Sequence, residues 1–103
     1  MSLMAKNCPE VFRKFSDFGK AVLSDGALPL KTKELMTCAL SIASHCEPCL
    51  KYHLSAAIKV GATEAEIAET LAVCVLLLGG PANVWTRQVI EETLTEMSEE
   101  QPR

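Results

Sequence analysis

The sequence predicts an all-α fold: a compact bundle of about five helices in a single domain that spans residues 1–103. Three observations lead to this prediction. Apolar residues recur at helical spacing along nearly the whole chain, and no segment alternates with period two over the length of a strand. Glycine, proline and helix-capping residues divide the chain into five helical segments. A chain of 103 residues can also build one modest core.

The first two predicted helices cover about residues 9–24 and 31–44. The first should present an apolar face and stop at Asp25-Gly26, and the second should follow the helix breaker Pro29. The residues on the apolar face of the first helix are Val11, Phe15, Phe18 and Val22.

The other three predicted helices are separated by clear breaking signals. The third begins near Cys46 and ends before Gly61, which can adopt the left-handed conformation that closes a helix. The fourth runs from about residue 64 to 78 and follows a capping box formed by Thr63 and Glu66. The fifth starts at Pro81, and its polar tail, residues 98–103, is expected to fray.

Charge and hydrophobic content indicate which partners and which cell compartment to expect. The net charge is −3, and the 10 basic residues form no patch, so nucleic acid is not expected as a partner. The longest apolar run, Leu71–Leu78, is too short for a membrane span, and no secretory signal is visible, so we expect a cytoplasmic protein. Because that run is apolar on every side and 49% of all residues are hydrophobic, we expect a homo-oligomer.

A close cysteine pair, Cys46-Glu47-Pro48-Cys49, is the main candidate for chemistry. Pro48 fits best in the first turn of a helix, which puts both cysteines at a helix N-terminus. The free N–H groups and the helix dipole at that end stabilise a thiolate. A thiolate is the form that attacks a peroxide or a disulfide. Which of the two cysteines attacks stays open.

A histidine and a glutamate can support this pair. His53 lies four residues after Cys49 and therefore on the same helical face. Glu34 lies roughly 16 Å before the turn between the second and third helices, and His53 roughly 12 Å after it, at 1.5 Å per residue. If the two helices form a hairpin, Glu34 can orient the imidazole, which in turn can serve a cysteine.

Taken together, these residues resemble a known signature. Glu34, Cys46-x-x-Cys49, His53 and Gly61, at these spacings, are similar to the alkylhydroperoxidase D branch of the carboxymuconolactone decarboxylase superfamily. The resemblance covers about residues 30–81. It implies an alkylhydroperoxidase D-like helical fold that assembles into trimers or hexamers. It also implies that Cys46 and Cys49 are the redox pair and that Glu34 and His53 form a proton relay.

The resulting functional hypothesis is a thiol-dependent peroxidase or disulfide reductase, reset by an external dithiol and needing no metal or organic cofactor. One alternative is a decarboxylase-like lyase that uses His53 and Glu34 for proton transfer. Another is a helical oligomer that binds a partner protein, or zinc through Cys46, Cys49 and His53 with His45 or Cys38.

The remaining notable residues have simpler interpretations. Cys8, Cys38 and Cys74 are expected to be small apolar fillers. His45 is interpreted as a plain turn residue outside the core site. The aromatic residues are expected in the core or at an interface: Phe12, Phe15, Phe18 and Trp85.

Overall fold

A computed structural model describes residues 2–100 of the chain. Within that range the protein contains helices and no strand, which confirms the predicted all-α class. No helix in the same range is long and apolar enough to cross a membrane. The six helices are α1 (Leu3–Asn7), α2 (Pro9–Val22), α3 (Leu30–Ala43), α4 (Glu47–Lys59), α5 (Glu64–Leu78) and α6 (Pro81–Glu100).

The observed helices agree closely with the five predicted ones, with two differences. The short α1 was not predicted; it begins where the Ser2 hydroxyl accepts a hydrogen bond from the Ala5 N–H at 3.1 Å. The helix α6 continues through Ser98 to Glu100, where the sequence suggested a frayed tail. Residues 101–103, the rest of that tail, lie outside the described part of the chain.

The chain divides into two compact units, and the first, Met1–Leu30, holds α1 and α2. Neither helix buries a residue. The predicted apolar face of α2 exists but is open: Phe15 is 63% exposed and Phe18 is 66% exposed. These aromatic side chains are therefore not core residues within the chain as described.

The second unit, Lys31–Arg103, contains the hydrophobic core. The helices α4 and α5 both pack against α6, and α3 contributes Cys38 and Ile42 to the same cluster. The α4 side chains Leu50 and Leu54 are almost fully buried. Burying one such leucine contributes roughly 1.5 to 3 kcal/mol, so α4, the helix that follows the cysteine pair, is firmly anchored.

The start of α5 is fixed by the predicted capping box. The Thr63 hydroxyl accepts from the Glu66 N–H at 3.1 Å, and the Glu66 carboxylate accepts from the Thr63 N–H at 2.9 Å. Lys31 also contacts this carboxylate at 2.9 Å. The Thr63 amide and the Lys31 ammonium lower the pKa of Glu66 below 4.5. These contacts therefore stabilise the fold above that pH, and their contribution is lost as the pH falls through the lowered pKa.

Replacing Thr63 with alanine should lower the free energy of unfolding by about 1 kcal/mol, because the Glu66 amide loses its acceptor at the helix end. Urea denaturation followed by circular dichroism measures the change. Thr95→Ala is the matched control, since the Thr95 hydroxyl bonds only to the Glu91 carbonyl of its own helix. Equal stabilities for the two variants would contradict the proposed role of the cap.

Candidate functional site

The connection between α3 and α4 is only three residues long, Ser44 to Cys46. The Cys46 N–H donates to the Ser41 carbonyl at 2.9 Å, and the His45 N–H donates to the Ile42 carbonyl at 3.1 Å. Together these bonds form the Schellman arrangement that closes a helix. His45 takes the left-handed position with φ 54°, which is most often occupied by glycine.

Cys46 also begins the next helix. It is the N-cap of α4, and its Sγ accepts a hydrogen bond from the Cys49 N–H at 3.3 Å. Pro48 lies in the first turn, as predicted. Cys46 and Cys49 are joined in a disulfide, with Cα atoms 5.3 Å apart. Cys49 is exposed and Cys46 is half-buried, so the pair lies at the surface, on the amide end of a helix.

Glu34 and His53, which are 19 residues apart, meet across α3 and α4. The His53 Nδ1 lies 3.2 Å from the Glu34 Oε1. Glu34 is only 4% exposed, whereas His53 is half-buried. The hairpin geometry inferred from residue spacing therefore has a direct counterpart in the structure. The catalytic roles of the four residues stay a prediction.

The chemistry of this contact follows from the carboxylate. An ionised Glu34 can only accept hydrogen bonds, so His53 then donates through Nδ1–H. The Thr37 hydroxyl supplies a second, longer contact to the same carboxylate oxygen at 3.4 Å. With its proton on Nδ1, the imidazole has Nε2 free to accept a proton. This arrangement suits a general base held in one orientation.

Cys38 and Cys74 are poorly suited to redox chemistry, because both thiols are buried and their pKa values are raised. Cys8 lies far from the pair in sequence. Burial, the Glu34 carboxylate and Cys74 raise the pKa of Cys38 to about 12. Burial also raises the pKa of Cys74. Cys8 is free and exposed in the first unit.

His45 makes a contact that its sequence position did not reveal. Its ring stacks on Trp85 of α6, with centroids 4.1 Å apart and planes 17° apart. The position of His45 in the sequence predicts only a plain turn residue. One signal was available, because helices very commonly end on a residue in the left-handed conformation just before a tight connection. The partner Trp85 could not be inferred, because it is 40 residues further along the chain.

The residues considered as zinc ligands are found in different settings. Among residues 2–100, no three His, Cys, Asp or Glu side chains converge in a way that could hold a metal ion. Of the ligands considered, Cys46 and Cys49 are bonded to each other, Cys38 is in the core and His45 is stacked on Trp85.

Comparisons with solved structures define the class of protein. A carboxymuconolactone decarboxylase family protein from Legionella pneumophila superposes with a TM-score of 0.82 and 37% identity, covering 92% of this chain and 84% of that one. A family member from Thermotoga maritima gives a TM-score of 0.75 and 32% identity, covering 88% and 96%. Its description raises involvement in an antioxidative response as a possibility.

Sequence comparisons agree with the structural ones. The profile of the carboxymuconolactone decarboxylase family matches residues 9–92. An uncharacterised protein of Cupriavidus necator is 33% identical over 82 residues, which is 80% of this chain and 73% of that protein. An uncharacterised protein of the cox locus of Paracoccus denitrificans is 34% identical over 68 residues, 66% of this chain and 61% of that protein.

The chain is thus a small helical protein of this class, and its two bonded cysteines lie at a helix N-terminus. The chain belongs to the carboxymuconolactone decarboxylase family, as the sequence resemblance implied.

Iodoacetamide should separate the five cysteines into three groups. In the oxidised protein only Cys8 should react, because it is the exposed free thiol. Reduction should add Cys46 and Cys49, whereas Cys38 and Cys74 should react only after denaturation, because they are buried and their pKa values are raised. Peptide mass mapping gives the labelled positions, with urea-denatured, reduced protein as the full-labelling control. Native labelling of Cys38 as fast as Cys8 would contradict this grouping.

Proposed function

We propose that the protein is a thiol-dependent oxidoreductase, a peroxidase or disulfide reductase, that cycles Cys46 and Cys49 between dithiol and disulfide. One observation carries the proposal: the pair lies at the N-terminus of α4, where the Cys46 sulfur already accepts an amide hydrogen bond. In the reduced protein the same amide would stabilise a thiolate on Cys46. The half-exposed position of the pair leaves it open to a substrate.

With a hydroperoxide as substrate, the reaction balances in two steps. A thiolate attacks the peroxide, the O–O bond breaks, an alcohol leaves with a proton, and the sulfur becomes a sulfenic acid. The second thiol then attacks that sulfur, water leaves, and the Cys46–Cys49 disulfide forms. An external dithiol takes up the oxidising equivalents by thiol–disulfide exchange and restores both thiols. No metal or organic cofactor takes part in this cycle.

The proposed role of Glu34 and His53 is proton transfer. Cys49 and His53 are spaced by four residues on α4, so their side chains are neighbours on one face of that helix. The imidazole, oriented by Glu34 through Nδ1, would accept the thiol proton at Nε2 and return it to the leaving alcohol. The description of a Thermotoga maritima relative raises involvement in an antioxidative response as a possibility, which agrees with a peroxide-reducing function.

Glu34→Gln and His53→Ala should each slow hydroperoxide-driven formation of the Cys46–Cys49 disulfide while leaving the helical content unchanged. General acid–base assistance is worth about 10² to 10⁴ in rate, so the loss at His53 should be tens-fold or more. Glu34 acts through His53 and should cost less. The rate of disulfide formation, measured in stopped flow between about pH 6 and pH 9, tests both expectations.

Three control variants sharpen this experiment. Ser55→Ala removes a hydroxyl that lies two residues after His53 and bonds to the Lys51 carbonyl within α4, and it should match the wild type. Cys8→Ser should also be silent, whereas Cys46→Ser should abolish the disulfide. Relay variants with wild-type rates across the pH range would remove Glu34 and His53 from the mechanism. A lactone decarboxylation that survives Cys46→Ser would favour the lyase instead.

Self-association is part of the proposal. The carboxyl-terminal half of α5 remains open in a single chain: Leu76 is 80% exposed and Leu77 is 83% exposed. Val73 and Leu78 extend the same apolar region. Leaving this much leucine surface in water is unfavourable by roughly 25 cal/mol per Å², and apolar patches of this kind mark protein interfaces. We therefore propose that copies of this chain cover it.

Light scattering at micromolar concentration should give three or six times the 11.2 kDa mass of the chain. Leu77→Asp should reduce this mass, because a carboxylate in a dry interface is costly. Ala65→Asp adds the same charge in the polar first half of α5 and should leave the assembly intact. A wild-type mass close to that of one chain would refute self-association.

A further inference from the structure

We infer that His45 and Trp85 act as a positioning pair that holds the turn carrying Cys46 ready for disulfide closure. The inference rests on the proposed function, because it concerns the dithiol and disulfide states of the same cysteines. It adds two residues to the site: one was interpreted from sequence as a plain turn residue, and the other as a core or interface aromatic.

The first observation is the backbone conformation of His45. At φ 54° it occupies the left-handed region, which side chains with a Cβ adopt at an energetic cost. Glycine would fill the same position without that cost and is the usual residue there. A strained residue beside a reactive group is reason to look for what the side chain does in return.

The second observation is the partner of the ring. The His45 imidazole lies nearly parallel to Trp85, at a centroid distance of 4.1 Å. Trp85 is held in turn by the second unit, because it is half-buried and packs against the hydrophobic core that contains Leu50 and Val89. The stack therefore fastens the exposed turn to the rigid interior through α6.

The third observation is the position of this fastening along the chain. His45 directly precedes Cys46, whose N–H closes α3 on the Ser41 carbonyl and whose Sγ accepts from the Cys49 N–H. In the oxidised protein the disulfide also holds the turn. In the dithiol form that bond is gone. Cys46 is then restrained by the Schellman hydrogen bonds, by the first turn of α4, where the Leu50 N–H donates to the Cys46 carbonyl at 3.0 Å, and by the His45–Trp85 stack next to it.

The physical consequence concerns the balance between the two redox forms. A restrained dithiol has little freedom to lose when the disulfide forms, so the effective concentration of one thiol at the other is high. Without the stack the reduced turn gains conformations that the oxidised turn cannot use. The equilibrium should then move toward the dithiol form.

Three variants separate the ring from the backbone. His45→Gly removes the ring and relieves the left-handed strain, so it should fold at least as stably as the wild type. Because glycine also frees the backbone of the reduced turn, a shift in its redox equilibrium supports the inference only together with a shift in Trp85→Leu, which leaves that backbone unchanged. His45→Phe keeps a flat ring that can stack, while keeping the strain. Trp85→Leu keeps an apolar side chain against the core but offers no ring to His45.

The measurement is equilibration of each protein with mixtures of reduced and oxidised dithiothreitol, followed by acid quenching and mass counting of free Cys46 and Cys49. Two electrons and two protons pass from the thiols to the oxidised reagent when the disulfide forms. His45→Gly and Trp85→Leu should each shift the equilibrium about three- to ten-fold toward the dithiol, the size expected for an aromatic stack. A tenfold shift equals about 30 mV for this two-electron couple.

The inference is supported if the redox equilibrium shifts toward the dithiol in His45→Gly and in Trp85→Leu, while His45→Phe stays close to the wild type. The double variant, His45→Gly with Trp85→Leu, should then shift little further than either single variant. If His45→Gly matches the wild type, or if Phe shifts as much as Gly, the ring does not position Cys46 and the inference is overturned. A wild-type protein that forms no Cys46–Cys49 disulfide at any ratio overturns the proposed function itself.

Discussion

The three-residue connection between α3 and α4 is the constraint on which the candidate site depends. Cys46 contributes to both helices, because its N–H closes the end of α3 and its side chain caps the start of α4. A connection this short forces the chain to turn back at once, which is why Glu34 on α3 meets His53 on α4. One tight turn thus places Cys46 at the amide end of α4 and brings the His53 imidazole to the Glu34 carboxylate, the two features on which the proposed thiol chemistry rests.

The contact between α3 and α4 at this site depends on the buried carboxylate of Glu34. An ionised carboxylate in a protein interior is costly unless its oxygens find partners. Glu34 has the His53 ring and the Thr37 hydroxyl, and its negative charge contributes to the raised pKa of Cys38. Burial of the Cys38 thiol and the charge of Glu34 thus act in the same direction, since both raise the pKa of Cys38.

Apolar side chains fill the interior of the second unit, but many also lie at the surface of the chain. The second unit has a well-packed interior, in which the hydroxyls of Thr86 and Thr93 are satisfied by carbonyls of their own helix. No buried side-chain nitrogen or oxygen within residues 2–100 lacks a hydrogen-bond partner. By contrast, the aromatic face of α2 and the leucine end of α5 remain exposed in the single chain. The leucine end of α5 is the surface through which we propose that copies of this chain associate.

The sequence by itself determined the helical class, the capping box of α5 and the placement of Pro48 in a first turn, because each depends on residues within a few positions of one another. It also indicated that Glu34 and His53 could meet, since a helical hairpin converts residue spacing into distance. Only the tertiary structure decided which ring His45 faces and which apolar helix faces are buried. Those outcomes depend on how α6 packs against its neighbours, and no local pattern of residues encodes that packing.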